Sequence, residues 1–221
     1  DRFVDSMPFV PSDNEKRAQR CKEIFSIQAS GLAKRIEHVG SSGVVVGISG
    51  GLDSTLALLV SVSAMKLLGK DNSDILGVTM PGFGTTDRTY QNAIDLMKSL
   101  GVTIKEISIK DACILHMKDI EHDSAVKDIT YENTQARERT QILFDLANKH
   151  GKLLVGTGDL SELAMGWCTY NGDHMSMYGV NASVPKTLVK YLVEYVANIS
   201  DKKTADILFD VLYTPVSPEL L

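Results

Sequence analysis

An apolar strand pattern runs directly into a glycine-rich loop near residue 50, and this junction restricts the fold more than any other feature. Residues 44–48 read Val-Val-Val-Gly-Ile, residues 49–55 read Ser-Gly-Gly-Leu-Asp-Ser-Thr, and a helix-like apolar run follows. Glycines allow a tight turn and let backbone N–H groups approach an anion, while the next helix directs its positive end at the same point. The junction predicts an anion site at the end of a buried strand.

Asp53 indicates which anion the loop binds. A carboxylate among phosphates repels them unless a divalent cation lies between, and Mg²⁺ commonly uses one or two protein carboxylates together with phosphate oxygens. No lysine follows the glycines, so the loop is neither the G-x-x-x-x-G-K-[ST] type nor the G-x-G-x-x-G type. We therefore predict a Mg²⁺-nucleotide site, and the alternative is a strand-to-helix turn without a ligand.

Composition excludes several classes of protein. The 221 residues are 43% hydrophobic, which is ample for one domain over residues 1–221. A formal net charge of −5, without a basic run, argues against a nucleic-acid partner. No apolar run approaches the length that crosses a bilayer, and no secretory signal pattern is seen, so we expect a cytoplasmic protein without a membrane partner. The scattered Cys21, Cys113 and Cys168 predict reduced thiols. From its two ends we expect a fragment of a longer chain.

The spacing of apolar residues predicts alternating strands and helices. Ser12 and Glu15 predict a capping box at the start of a long helix that reaches about residue 38. Further elements are predicted as strands at 44–48, 75–80, 102–109 and 152–155, and as helices at 52–68, 86–100, 131–150, 185–196 and 201–212. This alternation implies an α/β fold with a parallel sheet.

Two segments lack a clear period. Residues 111–130 have weak helical character, and a mobile loop is the alternative. Residues 166–184 show no periodicity, and a long irregular connection inside a compact domain is more often functional than not. We predict that residues 111–132 and 172–184 are the most mobile parts of the chain.

A second glycine turn, Gly156-Thr157-Gly158, follows the predicted fourth strand and precedes a short helix that carries Glu162. In an open α/β sheet, ligands bind at the carboxyl ends of strands where the strand order switches. If the first and fourth strands are neighbours, Asp53 and Glu162 can share a metal ion. The alternative for Glu162 is an acid that is stabilised only by the dipole of its helix.

Five segments together resemble the NAD⁺ synthetase family in order and spacing: residues 49–55, 133–139, 156–162, 166–170 and 184–187. The first resembles the S-G-G-x-D-S loop of the ATP-pyrophosphatase (PP-loop) enzymes, which alone does not separate this family from GMP, argininosuccinate and asparagine synthetases or tRNA-thiolating enzymes. The later segments do. The similarity covers nearly the whole chain and is nearest to the long bacterial glutamine-dependent enzymes.

The resemblance implies ATP-dependent amidation of nicotinic acid adenine dinucleotide (deamido-NAD⁺). The nicotinate carboxylate attacks the α-phosphorus of ATP and expels pyrophosphate, and ammonia then displaces AMP to leave the amide of NAD⁺. It also implies a three-layer Rossmann-like fold of the adenine nucleotide alpha hydrolase type, Mg²⁺ as cofactor and a homodimer. Ammonia would come from an N-terminal glutaminase domain of the full-length chain, which the resemblance implies is absent here. The family also continues past Leu221 with a segment that supplies further substrate contacts, so this fragment is expected to be weakly active or inactive.

The resemblance also assigns roles to residues. Catalysis would rest on Asp53, Glu162 and Lys186, with Asp53 and Glu162 as ligands of Mg²⁺. ATP would be bound by Gly47, Ile48, Ser49, Gly50, Gly51, Leu52, Asp53, Ser54, Thr157 and Lys186. Deamido-NAD⁺ would be bound by Asn133, Arg137, Glu162, Trp167, Cys168, Thr169, Tyr170 and Asp173. We interpret Arg139 as a surface or helix-pair charge.

Three alternatives remain at this point. The chain could be another AMP-forming PP-loop ligase that acts on a different carboxylate or carbonyl, a non-catalytic adenine-nucleotide sensor, or a scaffold without activity. Asp53 together with Glu162 argues against the sensor, because binding adenine requires no paired metal-binding carboxylates.

Overall fold

The computed structural model describes residues 2, 4–5, 7–84 and 87–215. Its helices are α1 (Asn14–Val39), α2 (Leu52–Leu67), α3 (Asp87–Ser99), α4 (Lys110–Asp119), α5 (Ile129–His150), α6 (Leu160–Met165), α7 (Lys186–Ile199) and α8 (Lys202–Tyr213). Its strands are β1 (Val44–Gly47), β2 (Ile75–Thr79), β3 (Thr103–Glu106), β4 (Leu153–Gly156) and β5 (Tyr178–Gly179). No helix in the described ranges is long and apolar enough to cross a membrane.

The strands form one parallel sheet in the order β3-β2-β1-β4-β5. Strand β1 lies at the centre, where Val46 pairs with Gly77 of β2 on one side and with Val155 of β4 on the other. The chain moves outward from β1 to β2 and β3, and then returns to β4 on the opposite side of β1. The strand order therefore reverses between β1 and β4, which opens a crevice outside their carboxyl ends.

Helices cover both faces of the sheet. Alternate side chains of a strand point to opposite faces, so Val44 and Val46 pack in one apolar cluster with residues of α1, α2 and α7. Val45 packs in a second cluster with residues of α4 and α5. The prediction of a three-layer, Rossmann-like parallel sheet flanked by helices is confirmed.

Several local predictions differ from the structure. Helix α1 is capped by Asp13 rather than Ser12, because the Asp13 carboxylate accepts a hydrogen bond of 2.8 Å from the Lys16 amide. A carboxylate there also interacts favourably with the helix dipole. The two-residue strand β5 lies in the segment that shows no period, whereas residues 110–119 form helix α4, in agreement with the weak helical character predicted there. Residue 86 of the predicted third helix and the last six residues of the predicted domain lie outside the described ranges.

Helix α2 is apolar on nearly every side because it lies between the sheet, α1 and α7. Leu56, Leu58 and Val60 are all 0% exposed. A helix that is apolar all round is a buried helix. Its first turn is therefore held firmly above the sheet, and so is the loop of residues 48–51 that joins it to β1.

Gly50 in that loop allows a close backbone approach. Its φ is 90°, and a Cβ there would collide with the carbonyl of Thr89 in α3. Gly50→Ala should therefore lower the free energy of unfolding by roughly 1–2 kcal/mol, which is the cost of a left-handed conformation for an L-residue. The cost of moving α3 should lower it further. The measurement is the free energy of unfolding in urea.

Gly69→Ala is the matched control. Gly69 has a φ of 64°, and no atom lies within 4 Å of its Cβ position, so only the conformational cost applies. Gly50→Ala should be the more damaging change, by about 1 kcal/mol or more. Equal losses for the two variants would contradict the packing of the loop against α3.

Candidate functional site

A cavity of about 840 Å³ lies at the crevice between β1 and β4. This falls in the range of roughly 300–1,000 Å³ that small-molecule sites occupy. Its lining includes sixteen of the residues to which the sequence assigns a role: Gly47, Ile48, Ser49, Gly50, Gly51, Leu52, Asp53, Ser54, Asn133, Thr157, Glu162, Trp167, Cys168, Thr169, Asp173 and Lys186. Segments that are more than 100 residues apart in the sequence therefore meet at one cavity.

Hydroxyl groups hold the glycine loop in shape. The Ser54 hydroxyl accepts a hydrogen bond of 3.3 Å from the Ser49 amide and donates one of 3.1 Å to the Gly51 carbonyl, while the Ser49 hydroxyl accepts from the Gly51 amide. Gly51 caps α2 and has no side chain that could accept from the first-turn amides. The N-terminus of α2 is therefore open to an anion in the cavity.

Three carboxylates converge beside this loop. Asp53, Asp159 and Glu162 each offer an oxygen atom, and these atoms lie within 4.8 Å of one another. Asp159 and Glu162 form a capping box at the start of α6: an Asp159 oxygen accepts from the Glu162 amide at 2.9 Å, and a Glu162 oxygen accepts from the Asp159 amide at 3.1 Å. The box fixes both side chains, because each uses one oxygen for the backbone.

The remaining oxygens of the cluster fit a cation. Asp53 Oδ1 and Asp159 Oδ2 are buried without a hydrogen-bond donor among the described residues, and Asp159 is 0% exposed. A buried carboxylate oxygen that lacks a partner costs free energy unless a cation lies against it. Mg²⁺ also prefers oxygen ligands, commonly one or two carboxylates together with phosphate oxygens, and this cluster can supply the carboxylates.

Lys186 is the cation that the chain itself supplies. It is the first residue of α7, where its Nζ bonds to Asp53 Oδ2 and lies 3.5 Å from Asp159 Oδ2. One ammonium cannot neutralise three carboxylates, so the fully ionised cluster keeps a net charge of −2. This net negative charge favours the binding of a metal ion at the site.

The pKa values of these groups follow from burial and charge. Burial raises the pKa of Asp53, although the hydrogen bond from Lys186 opposes this rise. Burial also raises the pKa of Glu162. Burial alone would lower the pKa of Lys186, but the hydrogen bond to Asp53 and the charges of the three acids outweigh it and raise that pKa. Lys186 is therefore held as an ammonium, while Asp53 and Glu162 favour a proton or a cation nearby.

Several residues assigned to the dinucleotide also line the cavity. The Thr169 hydroxyl donates a hydrogen bond of 2.9 Å to Asp173, and Trp167 stands 75% exposed at the cavity edge. Arg137 and Tyr170 are not part of the lining. Instead, Arg137 Nε donates to the Tyr170 carbonyl at 2.9 Å, and the Tyr170 ring is exposed. The structure brings these two residues together, but outside the cavity.

Sequence reasoning missed one residue of the acidic cluster. Asp159 received no metal-binding role, although the D-x-x-E spacing of a capping box was a signal that could have found it. Arg139, which the sequence led us to interpret as a surface or helix-pair charge, is half-buried, lines the cavity and donates a hydrogen bond of 3.2 Å to the Met80 carbonyl. The predicted strand ends placed both glycine turns correctly, but they gave no information on α5, which carries Arg139.

Relatives of known function match nearly the whole chain. The family model described as NAD synthase matches residues 24–206. A glutamine-dependent NAD(+) synthetase of Mycobacterium leprae is 48% identical over 227 residues, which cover 100% of this chain and 33% of that protein. An NH(3)-dependent NAD(+) synthetase of Pyrobaculum aerophilum is 36% identical over 148 residues, or 67% of this chain and 54% of that protein. The chain spans about a third of the length of the glutamine-dependent relatives.

A solved structure has the same fold. The glutamine-dependent NAD⁺ synthetase of Acinetobacter baumannii, determined with ADP, superimposes with a TM-score of 0.81 at 29% identity and covers 97% of this chain and 38% of that one. The fold, the order of the motifs and the extent of the matches agree. The chain thus belongs to the NAD synthase family.

Proposed function

We propose that this chain catalyses the ATP-dependent amidation of deamido-NAD⁺ to NAD⁺, with release of AMP and pyrophosphate. The observation that carries the proposal is the acidic cluster of Asp53, Asp159 and Glu162, which meets Lys186 and the open N-terminus of α2 at one cavity. This combination suits a substrate that brings several phosphates and a divalent cation. Family membership supports deamido-NAD⁺ over the carboxylates that other PP-loop ligases use.

The loop and the first turn of α2 would bind the ATP phosphates. Backbone amides at a helix N-terminus donate to phosphate oxygens, and the helix dipole favours their negative charge. Thr157, the residue after β4, adds a polar side chain to the cavity lining. The ATP phosphates would then lie across the switch point of the sheet.

Asp53, Asp159 and Glu162 would hold Mg²⁺. When bound, the ion would neutralise phosphate charge and polarise the phosphoryl oxygens. The chain contributes the fixed geometry, because the capping box orients two of the three acids before any substrate arrives. It also contributes Lys186, which the acids keep protonated and which would stabilise the charge that develops on departing pyrophosphate.

The chemistry needs no nucleophile from the protein. In the first step a carboxylate oxygen of nicotinate bonds to the α-phosphorus while the bond from that phosphorus to the pyrophosphate oxygen breaks. In the second step ammonia bonds to the carbonyl carbon, AMP leaves with the oxygen that bridged carbon and phosphorus, and one proton is lost from nitrogen. Asn133, Trp167, Thr169 and Asp173, which line the cavity, would orient the dinucleotide for both steps.

The dinucleotide site also suggests a second copy of the chain. Leu163, Met165, Trp167 and Tyr170 are 57–76% exposed and lie together in sequence next to the cavity. An exposed apolar patch beside a ligand site is typical of an interface. A homodimer that covers this patch would enclose the pyridine end of the substrate.

We expect dimerisation to be detectable in solution. Light scattering after size-exclusion chromatography should give about twice the mass of one chain. Replacing both Met165 and Trp167 with serine should shift the protein toward the monomer, whereas Ile27→Ser, an equally exposed apolar residue on α1, should not. A wild-type protein that stays monomeric at high concentration would contradict the homodimer.

Ammonia is the nitrogen source that this chain could use by itself. Cys21 and Cys113 are buried, and burial raises the pKa of Cys113 to about 11, whereas a glutaminase nucleophile must be an activated thiolate. A glutaminase domain elsewhere in the full-length protein would supply the ammonia, as the names and lengths of the relatives suggest. We place the enzyme in the cytoplasm, where ATP is available and thiols stay reduced.

Asp53→Asn is the direct test of the phosphate site. It should reduce pyrophosphate release by about 100-fold or more, because it replaces a metal-binding anion with a neutral group of the same size. Glu162→Gln should give the same phenotype, and the double variant should lose little more, since both changes disable one site.

Asp145→Asn, an exposed carboxyl on α5, is the control and should leave the rate unchanged. Each variant should keep the thermal unfolding temperature of the wild type to within a few degrees. Unchanged pyrophosphate release by Asp53→Asn would contradict the assignment of Asp53 to the metal site. Fully additive losses in the Asp53→Asn/Glu162→Gln double variant would mean that the two residues act at separate sites.

Nitrogen donor specificity is a second test. With deamido-NAD⁺, ATP and Mg²⁺, the chain should form NAD⁺ from ammonium but not from purified glutamine. At fixed total ammonium the rate should climb as the pH rises toward about 9, because un-ionised ammonia is the nucleophile. Equal amounts of glutamate and NAD⁺ formed from glutamine would contradict the proposed division of labour.

A further inference from the structure

One buried amide joins the two loops of the site from below the cavity. Asn181 lies after β5, is 0% exposed and is not part of the cavity lining. Its Nδ2 donates two hydrogen bonds of 3.0 Å, one to the main-chain carbonyl of Asp53 and one to that of Thr157. These carbonyls belong to segments that are 128 and 24 residues away from Asn181 in the sequence.

The amide is held in this orientation by α1. The Asn181 Oδ1 accepts a hydrogen bond of 3.1 Å from Gln28 Nε2, which also donates to the Val180 carbonyl at 2.9 Å. A side-chain NH₂ has two donors and both are used, while the oxygen faces a donor. Rotation of the Asn181 amide by 180° would place its oxygen against two carbonyl oxygens, so only the observed orientation satisfies the Asn181 side chain.

The two bonds lie where the sheet no longer holds the loops together. The pairing of β1 with β4 ends at Val46 and Val155. Asp53 and Thr157 both come after that point. Asp53 is itself one half of the acidic cluster, and Thr157 leads into the other half, Asp159 and Glu162. Lys186 also bridges the halves, but through a charge that faces the cavity. Asn181 bridges them through the backbone.

We propose that Asn181, oriented by Gln28, is a positioning residue that sets the spacing between Asp53 and the Asp159–Glu162 pair, and hence the affinity of the site for metal-bound ATP. This inference rests on the proposed use of ATP and Mg²⁺ at the site. It does not depend on the identity of the second substrate. An error of about 1 Å in such a spacing is enough to cost about 100-fold in function.

The test compares the affinity for ATP with and without metal. Calorimetric titration of the wild type should give a lower Kd for ATP in excess Mg²⁺ than in EDTA, because the acids contribute only through the ion. In Asn181→Ala the Kd in Mg²⁺ should rise by about 10- to 100-fold, while the Kd in EDTA stays within about twofold. Asn181→Asp should behave similarly or worse, since its carboxylate would face two carbonyl oxygens.

Asn72→Ala is the control for loss of a half-buried side-chain amide that donates to a main-chain carbonyl. Asn72 Nδ2 donates a hydrogen bond of 2.8 Å to the Leu100 carbonyl, at the opposite end of the sheet. This variant should lose stability and keep both Kd values. Gln28→Ala leaves Asn181 in place and removes the hydrogen bond to its Oδ1. The Kd for ATP in Mg²⁺ should therefore rise less than in Asn181→Ala. This variant replaces the Asn181 variants in the test if those do not fold.

The outcomes separate the two proposals. Unchanged Mg²⁺-dependent affinity in a folded Asn181→Ala or Gln28→Ala protein would overturn the positioning role, and so would an equal rise of both Kd values, which indicates a general structural defect. A wild type that binds ATP with Mg²⁺ but makes no NAD⁺ from deamido-NAD⁺ and ammonia would overturn the proposed reaction, while the binding comparison would still decide the role of Asn181.

Discussion

The electrostatics of three carboxylates that converge on one point determine most of what this site does. Oxygen atoms of Asp53, Asp159 and Glu162 come within 4.8 Å of one another, and the Lys186 ammonium forms ion pairs with Asp53 and Asp159. In such a partly buried place, mutual repulsion and lost hydration would favour separation or protonation of the acids. The capping box of α6 and the anchored first turn of α2 prevent separation. The site is therefore preorganised for a metal ion and for the phosphates that accompany it.

The topology of the sheet makes that convergence possible. Because β1 is central and the strand order reverses beside it, the turns after β1 and β4 are neighbours although about 100 residues separate them. Burial of α2 between the sheet, α1 and α7 holds one turn. The other is held by the capping box and by the hydrogen bond of 3.0 Å from the Leu160 amide to the Val184 carbonyl, which links α6 to the start of α7. Stability of the core and geometry of the site thus depend on the same packing.

The two halves of the cavity differ in how completely one chain builds them. Apart from the exposed Lys186, the phosphate half is formed by buried or half-buried residues, and hydroxyl hydrogen bonds hold its glycine loop in shape. The half assigned to the dinucleotide ends in exposed aromatic and apolar side chains, and Arg137 and Tyr170 bond to each other outside the lining. This contrast is the physical basis for including a second copy of the chain in the proposed function.

The sequence by itself determined the class of fold and the phosphate half of the site. An apolar strand followed by a glycine loop, an acid and a helix is a local pattern, and so is the turn at 156–158, so both could be placed from the chain alone. The capping residue of α1 was misplaced by one position and the short strand β5 was missed, while α4 was predicted only as weak helical character, because their local signals are weak and tertiary packing decides them. Asp159 joined the metal cluster, Arg139 entered the cavity and Asn181 bridged two loops only in the folded chain. Contacts between residues far apart in sequence depend on strand order and helix packing, which no local pattern of residues encodes.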